Sequence, residues 1–370
     1  MNYKAVVDAG AFSDALAQVS KVRMKASASL PPLLSEVMVR FSGGRCILTA
    51  TDFHTWLIKE CPAQGDDFSF VFQRTKDLVK ASHYFRGDMT VELHDTGETQ
   101  DRRLELCICC GGRTGQFEAY ASDDYPTYTA PEAEVTYSIN AAKLLKRVER
   151  VCYAAPKPDA NTRPSTQGVQ FVGHHVFALD GQRLACDTDS DFEFPKPFMA
   201  NGASLSHLKL FGDQEVKITH WKSRIQITDE STILDLHMPC SDFYHLASAI
   251  PKTANESFMV SPSDFLRELK YLKQFVSKER HPYVRFSGSE LVMPAAAGKY
   301  RTNVAVTGEH SITFAFDLHK MIDAMLQFKD EPAVQVKVNS PVAPIVISAE
   351  RRSDFALICP VRLTERLLAA

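Results

Sequence analysis

No stretch of this sequence approaches the roughly 20 apolar residues that a membrane-crossing helix needs. Its longest apolar runs, such as the one through Phe355–Val361, are far shorter, and the opening Met1-Asn2-Tyr3-Lys4 lacks the apolar core of a secretory leader. A soluble globular protein of the cytoplasm is therefore expected. Neither G-x-x-x-x-G-K-[ST] nor a strand followed by G-x-G-x-x-G occurs, which removes the two common phosphate-cradling loops and the support for nucleotide hydrolysis. An excess of one charge is missing as well. Lys and Arg total 42 against 45 Asp and Glu, a net charge of −3. A uniformly basic nucleic-acid coat is thus excluded, and any contact with DNA must be local.

The cysteines run from Cys46 to Cys359, and their total of nine is odd, so a complete disulfide framework is impossible and reduced thiols are the simpler reading. Cys107-Ile108-Cys109-Cys110 contains one C-x-x-C, but no second pair stands at zinc-ligand spacing, and neighbouring strand residues point to opposite faces. His174-His175 has no carboxylate or further histidine at helical spacing and reads as a satisfied or exposed pair. Asp123-Asp124 lies in a Pro- and Tyr-rich loop and reads as a turn. No catalytic residue, metal or cofactor is expected.

What the chain does contain is length and a repeat. At 370 residues and 45% hydrophobic content it can bury two or three cores. One helix pattern recurs three times: Asp8 before Phe12, Leu16 and Val19; Asn140 before Leu144, Val148 and Val151; Ser261 before Phe265, Leu269 and Leu272. The first residue of each set is a good N-cap and the next three share a helix face. A second unit of strand, short helix and alternating strand recurs in FSFVFQRTKDLVKAS then MTVELH, in KPFMANGASLSHLKLFG then EVKITHW, and in ITFAFDLHKMIDAMLQF then AVQVKVN. Period-2 alternation marks sheets with one buried face. The expected architecture is α+β, with three repeated domains of two helices on antiparallel sheets. Linker-like composition near Thr129–Glu134 and Lys252–Glu256 divides them as 1–130, 131–253 and 254–370.

Basic residues gather on the helices and their flanks: Arg74, Lys76 and Lys80; Lys143, Lys146, Arg147 and Arg150; Arg267, Lys270 and Lys273. Two readings stay open, solvated helix faces or one shared anion-facing surface.

Several motifs resemble those of the bacterial DNA polymerase III beta subunits, the sliding clamps, in matching order. They are Leu48-Thr49-Ala50-Thr51-Asp52, Asp124-Tyr125-Pro126, the stretch from Phe177 to Ala185 with its Asp180-Gly181-Gln182-Arg183-Leu184, the segment from Phe243 to Ile250-Pro251-Lys252, and Cys359-Pro360-Val361-Arg362-Leu363. The resemblance implies a homodimeric processivity factor with no catalytic site, joined head to tail so that helices line a hole around duplex DNA. Six helices at 8–10 Å spacing leave a hole of less than about 10 Å, whereas twelve leave roughly 20–28 Å, so two chains are needed to admit a duplex. Contacts to DNA would be to phosphates, without base readout. Arg163 matches a basic position of the family.

The resemblance also implies a peptide-binding pocket at Thr166, Leu179, Gly181, Arg183, Leu184, Tyr244, Val342, Pro344, Leu357, Pro360, Val361 and Arg362. It would receive linear segments of the polymerase III catalytic subunit, the clamp loader and other clamp-binding-motif proteins. Read from the residues alone, Leu179, Leu184 and Leu357 are either groove or plain core. Departures from the family pattern are Leu179 for a threonine, Gln182 for a histidine, Cys359 and Val361 for methionines, and Pro164 and Ser165 where tyrosines can stand. Thr364–Ala370 runs past the family's usual end, and Leu367 and Leu368 could fold back over the pocket or simply fray. Two further readings are a divergent clamp-like interaction module of a mobile element or secondary locus, and an enzyme built on Cys107–Cys110.

Overall fold

The three expected caps all form. Asp8 accepts the Ala11 N–H at 2.8 Å, Asn140 that of Lys143 at 2.9 Å, and Ser261 that of Asp264 at 3.3 Å. In the computed structural model the helices, in chain order, are α1 (Ala9–Val19), α2 (Thr75–Ser82), α3 (Ala141–Val151), α4 (Gly202–Leu205), α5 (Pro262–Lys273) and α6 (Leu318–Gln327). The structure describes residues 1–25, 27, 30–95, 104–130, 132–156, 163–239, 242–276, 281–295 and 298–364. On α1, α3 and α5 the nine apolar residues read from the repeat are all buried. Each helix is thus held by its stripe more than by intrinsic propensity.

The second repeat forms less evenly. In α6, Asp317 caps through the His319 and Lys320 N–H groups at 2.9 and 3.1 Å. At α2 no side chain of the preceding residue caps, and Glu36 accepts the Thr75 N–H instead at 2.8 Å. In the middle third the expected second helix is only one α-turn, α4, continued by the 3-10 helix Ser206–Phe211. Gly202, Ser204 and Ser206 are poor helix formers, which explains the shortening. A Cβ on Gly202 would stand 2.5 Å from Cys152 Sγ, so a side chain there would make the Cys152 thiol shift.

Two compact units emerge. The first comprises Met1–Lys143 with Ser206–Met238, the second Leu144–Leu205 with Pro239–Ala370. The first unit carries a 12-stranded antiparallel sheet. Within it, strand Thr55–Gly65 pairs with Thr232–His237, placing buried Leu57 opposite buried Leu234. The second unit carries a nine-stranded and a four-stranded sheet. In the former, Arg183–Thr188 pairs with Asp354–Ile358, setting Leu184 opposite Leu357. Phenylalanines dominate both interiors: Phe41, Phe68, Phe70 and Phe72 in the first unit, Phe258, Phe265, Phe286, Phe314 and Phe316 in the second. Burying each contributes about 1.5–3 kcal/mol. Among the described residues, no helix is long and apolar enough to cross a membrane.

Candidate functional site

Directly opposed residues on one face of the nine-stranded sheet form a row across five strands. Leu179 in His175–Leu179 faces Leu184 in Arg183–Thr188, which faces Leu357 in Asp354–Ile358. Leu357 faces Val346 in Ile345–Ser348, and Val346 faces Lys337 in Val334–Val338. The three leucines are buried, packed with Phe177 and Cys186 and edged by half-buried Tyr244, Leu246, Ala249, Val346 and Phe355. They therefore form the buried apolar layer of this face, with Tyr244 and Leu246 packed along its side. Gln170 holds that side in place by accepting the Tyr244 N–H at 2.8 Å.

The turn between the first two strands is fixed by chemistry. Gly181 sits at φ 85°, a left-handed conformation that favours glycine. Asp180 accepts the Gln182 and Arg183 N–H groups, each at 3.0 Å, and Arg183 Nε at 3.0 Å. Arg183 then reaches Asp323 at 2.6 Å and lies over the Tyr153 ring. Of the other expected pocket residues, Pro344 lines a cleft of about 290 Å³ beside the row, together with Lys252, Lys337, Val346 and Phe355. Val342 is exposed on the turn before it. Thr166 is buried, its hydroxyl donating to the Arg163 carbonyl at 2.9 Å. Pro360 and Arg362 follow strand Asp354–Ile358, and between them the Val361 N–H donates to the Ala315 carbonyl at 2.7 Å. Val346, Phe355 and Lys337 carry no sequence signal that sets them beside these leucines. The six residues 365–370, with Leu367 and Leu368, lie outside the described residues.

The basic positions divide. Lys143 and Lys146 are exposed on α3, but Arg147 does not belong with them. It is 5% exposed, its Nε donates to Asp187 at 2.8 Å, and a terminal nitrogen donates to the His174 carbonyl at 2.6 Å. Arg147 stands three residues after Leu144 and four before Val151, so it falls on the apolar stripe. Arg150 is likewise engaged, with Asp187 at 2.6 Å and Asp354 at 3.9 Å. On α5, Arg267 pairs with Asp264 at 2.7 Å and Glu268 at 2.9 Å, while Lys270 and Lys273 are exposed and form no ion pair among the described residues. Exposed Arg163 precedes the 3-10 turn Pro164–Thr166. Around α2, Asp77 binds Arg74 at 2.6 Å and Lys80 at 4.0 Å, and Lys76 is exposed. A wide cleft in the first unit gathers Arg74 and Lys76 with Lys21, Arg23 and Lys25, five basic side chains against Glu36 and Asp77. Lys21, Arg23 and Lys25 follow the end of α1, where no periodicity signals a surface.

The remaining reactive groups are ordinary. Cys107 and Cys109 lie on one strand face with their sulfurs 3.8 Å apart, and burial pushes the Cys107 thiol up. Cys110 points the other way, toward the Arg86 carbonyl. His174 Nδ1 sits 3.1 Å from the Phe192 carbonyl, and His175 Nδ1 lies 2.9 Å from the Thr188 hydroxyl. Among the described residues no three such side chains converge as metal ligands.

Solved structures match the chain almost end to end. A sliding clamp from Bartonella birtlesii, itself bound to griselimycin, has a TM-score of 0.84 at 17% identity, covering 98% of this chain and 100% of its own. The beta subunit of Streptococcus pyogenes DNA polymerase gives 0.83 at 15%, covering 97% and 100%. That of Thermotoga maritima DNA polymerase III gives 0.82 at 19%, covering 98% and 100%. The fold is that of the DNA polymerase III beta sliding clamps. No family model and no curated protein sequence matches the chain. Within the clamp fold, two of the departures noted from sequence are neighbours, since the Cys359 N–H donates to the Gln182 carbonyl at 2.8 Å. The Gln182 side chain in turn accepts from Lys320.

Proposed function

We propose that the chain is the subunit of a DNA sliding clamp, a non-catalytic ring that encircles duplex DNA and tethers a polymerase through short peptides. The observation that carries this reading is the clamp fold itself, shared over 97–98% of the chain. In this reading three domains, 1–130, 131–253 and 254–370, follow one another. The seams between Thr55–Gly65 and Thr232–His237, and between Arg183–Thr188 and Asp354–Ile358, then join successive domains by continuous sheet. Compact units therefore need not coincide with the repeats.

Two chains must associate, because six helices cannot enclose a duplex. Lys143, Lys146, Lys270, Lys273, Lys76, Lys21 and Lys25 supply the phosphate-facing charge, without sequence readout. The row from Leu179 to Val346 supplies a floor for apolar peptide anchors. Retention on DNA tests the ring directly. Protein loaded on nicked circular DNA should stay through gel filtration and leave after one linearising cut; equal loss from both would sink the proposal. Light scattering should give a species near twice 41.3 kDa. A second reading, the clamp-like module of a mobile element or secondary locus, draws on the substituted groove positions Gln182, Cys359 and Val361. Co-purification with polymerase and clamp loader favours the replicative role, and their absence the second.

A further inference from the structure

The sheet row does not end in apolar residues. Beyond Val346 it reaches Lys337, and the cleft beside it is walled by the segment Ile250–Ala254, which brings Lys252 to the same opening. That lining contains two lysines and no carboxylate. Neither lysine makes an ion pair among the described residues, although Lys337 is half-buried, between Val346 and Ser257 of the neighbouring strands. The walls are firm: Asn339 accepts the Asn255 N–H at 2.7 Å, and strand Val334–Val338 is paired on both sides. Val346 and Phe355 belong both to this cleft and to the cluster over Leu184 and Leu357. The apolar row and the basic cleft therefore adjoin through Val346 and Phe355.

We infer that the groove selects peptides carrying an acidic side chain at a fixed distance from their apolar anchors, with Lys252 and Lys337 as the residues that read it. The inference rests on the peptide-groove reading above and adds to it the chemistry of the partner. Spacing follows from sheet geometry. Leu184 to Lys337 is three strand steps of about 4.8 Å, or roughly 14 Å. An extended peptide advances about 3.3 Å per residue, so the carboxylate belongs about four residues from the anchor seated over Leu184. A charge-assisted contact at this half-open site gives about a fivefold preference, because solvent screens part of the attraction.

The test uses fluorescent ten-residue peptides on the full-length protein. Each carries a Leu-Phe anchor and, four residues to its N- or C-terminal side, Glu, Gln or Lys. The Glu peptide in one of the two orientations should bind about fivefold tighter than its Gln counterpart, and the Lys peptide weaker than both. In the Lys252→Gln, Lys337→Gln double variant the Glu and Gln peptides should bind equally, and adding Leu184→Asp should abolish binding of both. Raising the salt should erase the same difference. Equal binding of Glu and Gln peptides to the unaltered protein, with both lost in Leu184→Asp, would overturn the acidic preference and leave the groove standing. Binding that no anchor or Leu184→Asp change affects would overturn both. Displacement of the Glu peptide by a short DNA duplex, with no displacement from the double variant, would assign the lysines to phosphate instead and overturn the inference.

Discussion

Asp187 is the place where one atom group holds most of a local structure. Its carboxylate is buried and accepts from Arg147 at 2.8 Å, from Arg150 at 2.6 Å and from the Ser353 hydroxyl at 3.1 Å. Replacing it with Ala leaves Arg147 charged and 5% exposed, and that guanidinium already has one terminal nitrogen without a partner. Removing one partner of a buried pair costs about 3–5 kcal/mol. Arg150 adds less, because its side chain is 22% exposed and water can solvate it. A total of about 3–5 kcal/mol is a large share of the roughly 5–15 kcal/mol that stabilises a typical protein. Arg147→Met should cost less, since Asp187 keeps Arg150 and Ser353. Native-state amide exchange of strand Arg183–Thr188 reads the effect where it arises. Asp187→Ala should raise exchange there by two or more orders of magnitude, and Arg147→Met by clearly less. A loss below about 1 kcal/mol for Asp187→Ala, or equal losses for both variants, would refute the assignment of a buried, shared counter-ion.

Other outcomes follow from the same geometry. Leu184→Asp should abolish peptide binding, because an unpaired buried charge costs several kcal/mol, while light scattering still gives the dimer. Lys143→Glu with Lys146→Glu should reduce loading onto circular DNA and flatten its salt dependence by about 0.9 in log–log slope for each phosphate no longer neutralised; unchanged loading would remove α3 from the DNA-facing surface. Asn140→Ala should cost about 1 kcal/mol by removing its cap, measured by urea denaturation. Burial, aided by nearby His174 and Arg147, holds His175 below its ordinary value near 6.5. The neutral ring is thus favoured in the folded state. Its contribution to stability is present above about pH 6.5 and is lost as pH falls toward the lower folded value, which NMR titration of the ring checks.

Local signals were legible because they are local. A cap and its stripe lie within a dozen residues, so Asp8, Asn140 and Ser261 could be read directly, and so could the alternating strands. Arg147 was also legible in principle, since its spacing to Leu144 and Val151 places it on the buried stripe. Its partner was not, because Asp187 lies 40 residues further on and only strand pairing brings it back. The same holds for the row of the nine-stranded sheet. Leu184, Leu357, Val346 and Lys337 become neighbours through registers set by topology, which no window of sequence contains. The resemblance supplied Leu179, Leu184 and Leu357, whereas Val346, Phe355 and Lys337 needed the sheet. Shortening of α4 was foreshadowed by Gly202, Ser204 and Ser206, whose weak helix propensity the strand-helix-strand repeat conceals.

The seam between Thr55–Gly65 and Thr232–His237 bears on how far this protein depends on an unbroken chain. Five directly opposed residue pairs, from Thr55↔Leu236 to Lys59↔Thr232, join segments more than 160 residues apart. Tyr128 strengthens the seam by donating to Asp235 at 3.1 Å and packing on Trp56. A single protease cut between Thr129 and Ala130 severs the backbone and none of these bonds. The two fragments should therefore co-migrate on a native gel and separate only in denaturant. Separately expressed pieces should likewise recombine, because their recognition is written into strand register and not into the peptide that links them.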